Sequence, residues 1–129
     1  MAVLDASAAL EVLLRTPLGV RCASRLFEDE LHAPHLLDVE FAQALRRLTL
    51  AGGLAKERAR LALDMLKDLA ILRHSHLPLL SRIWDLRASV SAYDAAYLAL
   101  AEGLDVPLLT CDAKLSRSHG HSAKVELLA

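Results

Sequence analysis

Short apolar runs alternate along this chain with longer helical segments, and this alternation limits the folds available to it. The first run, Ala2-Val3-Leu4, stops at Asp5, and an apolar helical stretch with Ser7 as its predicted N-cap follows at once. Further runs stand at 31–33, where Pro34 is expected to end the strand, and at 70–74, 106–110 and 125–128. Strands that alternate with helices favour an α/β fold, here a three-layer α/β/α domain with a mostly parallel central sheet.

The segments between these runs have helical periodicity. We expect helices over 7–14, 17–30, 37–48, 56–69, 79–87 and 92–102, and a short one after Asp112. Gly52-Gly53 and Gly103 are the expected ends of two of them. In the second helix Val20, Ala23 and Phe27 share a face, and the fourth helix is strongly amphipathic, with Leu61, Met65, Leu66 and Leu69 on its apolar side.

Length and composition indicate one domain with an aliphatic core. A chain of 129 residues would divide into pieces too small for solid cores, so we expect a single domain over 1–129. Hydrophobic residues make up 54% of the chain and aromatic residues only 4%, so Ala, Leu and Val must build the core. The formal net charge is −1, so binding to nucleic acid would require a local basic patch or metal ions.

Cysteine and histidine spacing does not indicate a zinc site. Cys22 and Cys111 lie far apart and form no CxxC pair, so we expect two reduced, buried thiols. His74-x-His76 and His119-x-His121 are expected to be exposed loop residues.

The sequence gives no indication of export or of membrane insertion. Residues 1–5 lack the basic and apolar regions of a signal peptide, and no run approaches the ~18 apolar residues of a membrane span. We therefore expect a cytoplasmic protein that does not contact membranes.

Four carboxylates stand in unusually apolar surroundings. Asp5 and Asp112 each follow an apolar strand, Glu40 lies near the start of a helix, and Asp94 lies in the most apolar helix of the chain. Ligands of parallel sheets bind outside the carboxyl ends of the strands, so Asp5 and Asp112 are expected to share a site.

A cluster of carboxylates needs a cation, because neighbouring like charges raise one another's pKa values and buried charges are costly. Mg²⁺ prefers hard oxygen ligands and keeps several waters, one of which can attack a phosphate. Acids without a matching Cys or His set therefore indicate Mg²⁺, with Mn²⁺ as a substitute, rather than zinc.

Each acid also has a purely structural interpretation. Asp5 could cap the following helix, and Ser91 with Asp94 fits a capping box. Glu40 could favour the helix dipole from the first turn, and Asp112 could be a turn residue. The functional interpretation depends on all four acids occurring together in these settings.

Taken together, these segments resemble a PIN domain, and specifically the VapC-type toxins of bacterial toxin–antitoxin pairs. The resemblance covers essentially the whole chain. It rests on Val3-Leu4-Asp5-Ala6-Ser7, on Ala33-Pro34-His35-Leu36-Leu37-Asp38-Val39-Glu40 with Ala44-Leu45-Arg46-Arg47, on Ser91-Ala92-Tyr93-Asp94-Ala95-Ala96-Tyr97-Leu98-Ala99-Leu100-Ala101-Glu102, and on Pro107-Leu108-Leu109-Thr110-Cys111-Asp112. The run around Asp94 is the most specific. The chain departs from many relatives at Ser89, where they carry Asn, and at Ser116 and Ser118, where some add an acid.

The resemblance implies a Mg²⁺-dependent endoribonuclease with an RNA substrate, a cognate antitoxin and commonly a homodimer. It implies that Asp5, Glu40, Asp94 and Asp112 are the metal ligands and catalytic residues. Ser7 and Thr110, beside these acids, are candidates for orienting carboxylates or contacting phosphate, although helix capping and strand packing also explain them. Candidates for binding the RNA backbone are Arg46, Arg47, Arg87, Lys114 and Arg117, although a solvated surface charge is the simpler interpretation of each one taken singly.

Two amphipathic segments, 56–69 and 79–87 with Trp84, offer apolar surface for a dimer contact or an antitoxin helix.

Two other classes of function remain for such a chain. A signalling receiver domain needs adjacent acids after its first strand, whereas Asp5 here follows apolar Leu4. A catalytically silent PIN-like binding module needs no complete acid set, and here all four acids are present. Phosphorylation by acetyl phosphate would identify the receiver, and titration with Mn²⁺ would separate the enzyme from the silent module.

Overall fold

A five-stranded parallel sheet forms the centre of the molecule, as the alternation of strands and helices predicts. The structure is a computed structural model that describes all residues from Met1 to Ala129. Its strands lie in the order β3-β2-β1-β4-β5, and every neighbouring pair is parallel. The strands are β1 (Ala2–Leu4), β2 (Leu31–Pro34), β3 (Ile71–His74), β4 (Leu108–Thr110) and β5 (Val125–Leu127). Pro34 is thus the last residue of β2 rather than the residue that stops it.

Helices cover both faces of this sheet, which gives the expected three-layer α/β/α arrangement. They are α1 (Ala6–Leu13), α2 (Pro17–Phe27), α3 (Leu36–Leu50), α4 (Lys56–Asp68), α5 (Leu80–Asp85), α6 (Ala92–Leu104) and α7 (Ala113–Ser116), with a 3-10 turn at Leu77–Leu79. Helix α1 packs against α2, α3 and α4, whereas α5 packs against α6. Helices α1 to α4 lie on one face of the sheet because the connections from β1 to β3 move along the sheet in one direction. The later connections move in the other direction, and a right-handed crossover then places its helices on the other face.

The direction of strand order reverses between β1 and β4. From β1 the chain adds β2 and then β3 on one side, and it afterwards crosses back to place β4 on the other side of β1. Helices on opposite faces leave a crevice at the carboxyl ends of the two strands at such a reversal. The residues that follow β1 and β4 are Asp5 and Cys111-Asp112.

Helix α6 lies across the middle of the sheet and is its most deeply buried helix. Every residue from 95 to 101 is buried, and the helix contacts β1, β2 and β4. Its alanines allow this close approach to the sheet. The helix continues to Leu104, one residue beyond Gly103. Its C-cap is Asp105, which adopts a left-handed conformation with φ 54°. No helix in the structure combines the length and the apolarity required to cross a membrane.

The N-cap of α1 is Asp5 and not Ser7, so that part of the sequence prediction is wrong. The Asp5 carboxylate accepts a hydrogen bond from the backbone N–H of Ala8, while Ser7 lies within the first turn. Asp5 leaves β1 in an extended conformation, φ −92° and ψ 170°, which is the geometry an N-cap requires.

Periodicity also misidentifies some residues that face the core. In α2 the buried residues are Gly19, Cys22 and Leu26, whereas Val20 and Phe27 are 65% and 56% exposed. In α4 the buried residues are Ala62 and Leu66, and Leu61 is 60% exposed. The α2 helix packs closely on α1 through Gly19, so the face that carries Gly19 turns inward and leaves Val20 and Phe27 outside.

Candidate active site

A cavity of about 640 Å³ opens at the carboxyl ends of β1 and β4, where the strand order reverses. Its walls come from the start of α1, one face of α3 as far as Arg47, the first turns of α6 and the residue after Cys111. All four sequence-predicted acids line it: Asp5, Glu40, Asp94 and Asp112. The fold therefore brings together side chains that are spread over more than 100 residues of sequence.

Asp5 lies at the floor of this cavity and is held by three donors. Its Oδ1 accepts hydrogen bonds from the Ala8 N–H at 3.0 Å and from the Ser7 hydroxyl at 2.8 Å. Its Oδ2 accepts a hydrogen bond from the hydroxyl of Thr110. The carboxylate has one fixed orientation as a result, and only part of its Oδ2 remains available to another partner.

Ser7 and Thr110 connect Asp5 to the end of β4. The Ser7 hydroxyl accepts a hydrogen bond from the Cys111 N–H at 3.0 Å, and the Thr110 hydroxyl accepts one from the Asp112 N–H at 2.9 Å. Since each oxygen receives a backbone N–H, each hydroxyl proton is directed towards Asp5. Both residues thus orient a carboxylate, as one of their sequence interpretations expects.

Burial dominates the electrostatics of Asp5. Removal from water raises the pKa of its carboxyl to about 6, even though the bonds from Thr110, Ala8 and Ser7 favour the charged form and lower it. Asp112 contributes a smaller increase in the pKa through its like charge. A cation placed in the cavity would favour the ionised carboxylate and reverse this penalty.

Glu40 reaches the cavity from α3 and meets a partner from the opposite layer. Its Oε1 accepts a hydrogen bond from the Tyr97 hydroxyl of α6 at 2.7 Å. Burial raises the pKa of Glu40, Tyr97 opposes that increase, and the charge of Asp94 adds to it. Burial and the neighbouring carboxylates also raise the pKa of Tyr97, so its hydroxyl keeps its proton and remains a donor.

Asp94 and Asp112 complete the acidic wall. The N–H of Asp94 donates to the Oγ of its N-cap Ser91 at 3.1 Å, and the half-buried Asp94 carboxylate forms no ion pair within the protein. Asp112 caps α7, and its Oδ1 accepts the N–H of Lys114 at 2.9 Å. Burial, and then the charge of Asp112, raise the pKa of Asp94, while Lys114 lowers it.

The donor chemistry of this cavity fits Mg²⁺. Its acidic oxygens are hard ligands, and they raise one another's pKa values in the protein alone. No three His, Cys, Asp or Glu side chains converge closely enough to ligate one ion directly. Mg²⁺ commonly binds through one or two carboxylates and keeps several waters, so such an open set suits it better than a closed cage would.

The basic candidates are divided among three places. Arg47 lines the acidic cavity, where its charge lowers the pKa of Glu40. Arg87, Lys114 and Arg117 line a second groove of about 560 Å³, which adjoins the first because Asp94 borders both. Arg46 lies outside both, in a shallow depression between α3 and α4. The guanidinium of Arg87 stacks on Trp84, 4.7 Å from the ring centroid.

His74 does not lie in an exposed loop, so that part of the prediction is wrong. It is the last residue of β3, and its Nε2 lies 2.8 Å from Nδ1 of buried His32. Burial and the neighbouring charges of His32 and His35 lower the pKa of His74. His76 and His119 are exposed as expected, whereas His121 is partly buried and contacts the Ser118 hydroxyl.

Both cysteines are free; Cys22 is buried and Cys111 is partly buried.

Tyr97 is the functional candidate that sequence reasoning missed. It lies three residues after Asp94 and therefore on the same face of α6. That spacing could have identified it, but a tyrosine in so apolar a helix is ordinarily interpreted as core packing. Gln43 also lines the cavity, one turn after Glu40 on α3.

Comparison with known proteins identifies the family. The family model described as PIN domain matches residues 2–119. Ribonuclease VapC12 of Mycobacterium tuberculosis is 42% identical over 129 residues, which is 100% of both chains.

Solved structures share the fold at lower identity. VapBC2 from Rickettsia felis, bound to a DNA fragment from its promoter, superposes with a TM-score of 0.70 at 12% identity, covering 99% of this chain and 98% of that one. The sarcin–ricin loop cleaving toxin VapC20 of Mycobacterium tuberculosis superposes with a TM-score of 0.68 at 16% identity, covering 95% and 97%. At these identities the similarity concerns the fold alone.

Proposed function

The chain belongs to the PIN-domain family and, within it, to the VapC ribonucleases, and on that premise we propose that it is a Mg²⁺-dependent endoribonuclease. The observation that carries this proposal is the convergence of four carboxylates on one cavity at the reversal of strand order. We propose that these residues hold the metal, no more than two of them directly and the others through its waters, and carry catalysis: Asp5, Glu40, Asp94 and Asp112.

Each part of the chain contributes a defined task to hydrolysis. When bound, Mg²⁺, or Mn²⁺ in its place, would supply positive charge at the scissile phosphate and lower the pKa of a water, so that this water can attack the phosphorus. The network of Ser7, Thr110 and the Ala8 N–H holds Asp5 in one orientation before any ligand arrives. Asp94, whose carboxylate has no ion-pair partner in the protein and borders both cavities, would be available to the ion.

The groove beside the cavity supports RNA as the substrate. Arg87, Lys114 and Arg117 place three positive charges along it, and it meets the acidic cavity at Asp94. A strand whose phosphates lie in this groove would carry its backbone past the carboxylates. Because the formal net charge is −1, this local concentration of cations matters more for binding than the charge of the whole protein.

We further propose that the protein is the toxin of a type II toxin–antitoxin pair, acts in the cytoplasm and forms a homodimer. Relatives carry the name VapC ribonuclease, and a solved structure with the same fold carries the name VapBC2. Large apolar side chains remain exposed on α4 and around α5, where a second copy or an antitoxin would cover them: Leu61, Leu77, Leu80 and Trp84.

RNA cleavage by purified protein tests the main proposal. Asp94→Asn is the sharpest variant, because it removes a charge while retaining the side chain's shape and the backbone hydrogen bond to Ser91. We expect wild-type cleavage with Mg²⁺ or Mn²⁺, none with EDTA, and loss of cleavage in Asp94→Asn with an unchanged circular dichroism spectrum. Asp68→Asn, at an exposed acid at the end of α4, is the matched control and should cleave normally.

Two results would contradict the proposal. Undiminished cleavage by Asp94→Asn would remove the assigned site. Binding of RNA by the wild type without cleavage at any metal concentration would indicate a silent binding module instead.

A further inference from the structure

We infer that Tyr97 is a positioning residue for Glu40: its hydroxyl holds the Glu40 carboxylate at the wall of the cavity, in the place from which it would bind the metal, directly or through a water. This inference rests on the proposed function. It assigns to Tyr97 a task that acts through another side chain and requires no contact with substrate.

The hydrogen bond between these two residues crosses the cavity from one helical layer to the other. Glu40 belongs to α3, which packs with α1, and Tyr97 belongs to α6, which packs with α5. The Tyr97 hydroxyl donates to Oε1 of Glu40 at 2.7 Å, across 57 residues of sequence. The bond therefore fixes one side chain of α3 relative to the helix that carries Asp94.

The two partners differ in how firmly the fold holds them. Tyr97 is 2% exposed and lies in the core, so its ring has one position. Glu40 is only half-buried, has no ion pair with a basic side chain, and accepts no other hydrogen bond. A glutamate with so few restraints loses substantial side-chain entropy when it is ordered. Tyr97 supplies the one direct hydrogen bond that prevents Glu40 from turning into solvent.

The geometry leaves Glu40 able to bind a cation. The hydroxyl occupies a single lone pair of Oε1, and Oε2 has no partner in the protein. A carboxylate oriented through one oxygen and open at the other resembles the general arrangement in which an outer hydrogen bond orients a metal ligand. Loss of such an outer partner typically weakens metal affinity by about 10- to 100-fold.

Tyr93 provides a matched control on the same helix. It lies one turn before Tyr97 and lines the same cavity, but its ring is largely exposed and its hydroxyl forms no hydrogen bond. Tyr97→Phe and Tyr93→Phe remove the same atom from the same residue type in the same helix. Only the first of them breaks the bond to Glu40.

Calorimetric titration of the intact protein with Mn²⁺, without RNA, tests the inference. We expect Tyr97→Phe to weaken Mn²⁺ binding by about 10- to 100-fold and Tyr93→Phe to change it less than twofold. In a Glu40→Gln background, Tyr97→Phe should cause no further loss of Mn²⁺ affinity, because the carboxylate that Tyr97 positions is no longer there. Circular dichroism and a thermal melt of each variant verify that the fold survives at the titration temperature.

The possible outcomes separate this inference from the proposed function. Wild-type affinity in a folded Tyr97→Phe protein would overturn the inference and leave the nuclease proposal intact. A further loss on adding Tyr97→Phe to Glu40→Gln would also overturn it, since Tyr97 would then act by another route. Absence of Mn²⁺ binding by the wild type would refute the proposed metal site itself, and the inference with it.

Discussion

The hydroxyl of Thr110 donates a hydrogen bond to the carboxylate of Asp5, which joins the end of β4 to the end of β1 across 105 residues of sequence. The same oxygen accepts the N–H of Asp112 at 2.9 Å, so one buried side chain contacts two of the four acids. Thr110 is fully buried, and no solvent can replace either bond. The orientation of the Asp5 carboxylate at the floor of the cavity therefore depends on Thr110, a residue that carries no charge.

Thr110→Val should destabilise the protein by about 1–3 kcal/mol, because it leaves a buried carboxylate oxygen and a backbone N–H without partners in an otherwise isosteric change. Urea denaturation measures this difference. Thr110→Ser keeps the hydroxyl and should lose less stability. An undiminished stability of Thr110→Val, which keeps the methyl group and lacks the hydroxyl, would contradict this role of the hydroxyl.

The stability of the metal-free protein should decrease as the pH rises through about 6. The folded-state pKa of Asp5 lies near 6, above its ordinary value of 3.8, so the fold favours the protonated carboxyl. That stabilisation is fully present below pH 3.8 and is lost as the pH rises through the folded pKa, an effect on the order of 3 kcal/mol.

Urea denaturation in EDTA at several pH values from 4 to 8 measures this effect. Asp5→Asn should flatten the profile, because residue 5 no longer ionises, whereas Asp68→Asn should retain the wild-type profile. Saturating Mg²⁺ should restore stability at neutral pH in the wild type. An identical slope for the wild type and Asp5→Asn would contradict the assignment of this pH dependence to Asp5.

The basic groove should determine how strongly RNA binding depends on salt. In an Asp94→Asn background, Lys114→Gln or Arg117→Gln should weaken binding to single-stranded RNA. Each should also reduce the slope of log affinity against log salt by about 0.7, because each removes one phosphate contact. Fluorescence anisotropy at several salt concentrations provides the measurement. Arg46→Gln, outside both cavities, should leave the slope unchanged, and a slope that changes equally in all three variants would argue against the groove.

Two glycines should respond to alanine in opposite ways. A Cβ at Gly19 would overlap the backbone carbonyl of Glu11 and lie 2.8 Å from the N of Val12, so Gly19→Ala should cost about 1–3 kcal/mol or more by separating α2 from α1. A Cβ at Gly103, within α6, meets nothing within 4 Å, so Gly103→Ala should stabilise the protein by up to about 1 kcal/mol. Thermal melts compare the two, and a stable Gly19→Ala protein would contradict the close approach of α1 and α2.

If the apolar surface around α5 forms the proposed dimer, Trp84→Glu should produce a monomer. Trp84 is 65% exposed, and Leu77 and Leu80 near it are also exposed. Light scattering over a range of concentrations measures the mass, and the chain's single tryptophan gives a fluorescence signal for the same contact. Val20→Glu, at an equally exposed position on α2, should remain dimeric. A monomeric wild type at high concentration would refute the dimer.

The alternation of strands and helices predicts the parallel sheet because neighbouring residues in the sequence determine where each strand stops and each helix begins. The apolar run before Asp5 and the one before Asp112 are short enough for buried strands, and each ends at an acid that caps the next helix. The carboxyl-end rule for parallel sheets then places both acids at one edge of the sheet. The proximity of Asp5 and Asp112 could therefore be predicted from the sequence alone.

Long-range packing is what the sequence could not provide. Periodicity groups Val20 with Phe27 on one face of α2, but the tight contact of Gly19 with α1 turns the adjacent face inward. The contact between His32 and His74 depends on the register of β2 against β3, which local sequence does not determine. The bond from Tyr97 to Glu40 likewise requires two layers to be stacked before it can be recognised.

The pairing of β1 with β4 has a consequence for biosynthesis. The first strand leaves the ribosome early, but the neighbour that completes the acidic floor is encoded more than 100 residues later. An unfinished polypeptide that ends before Asp112 lacks one wall of the cavity, whatever its other helices have done. The complete set of four carboxylates therefore exists only when synthesis is nearly over, and a fragment that ends before Asp112 contains three of them at most.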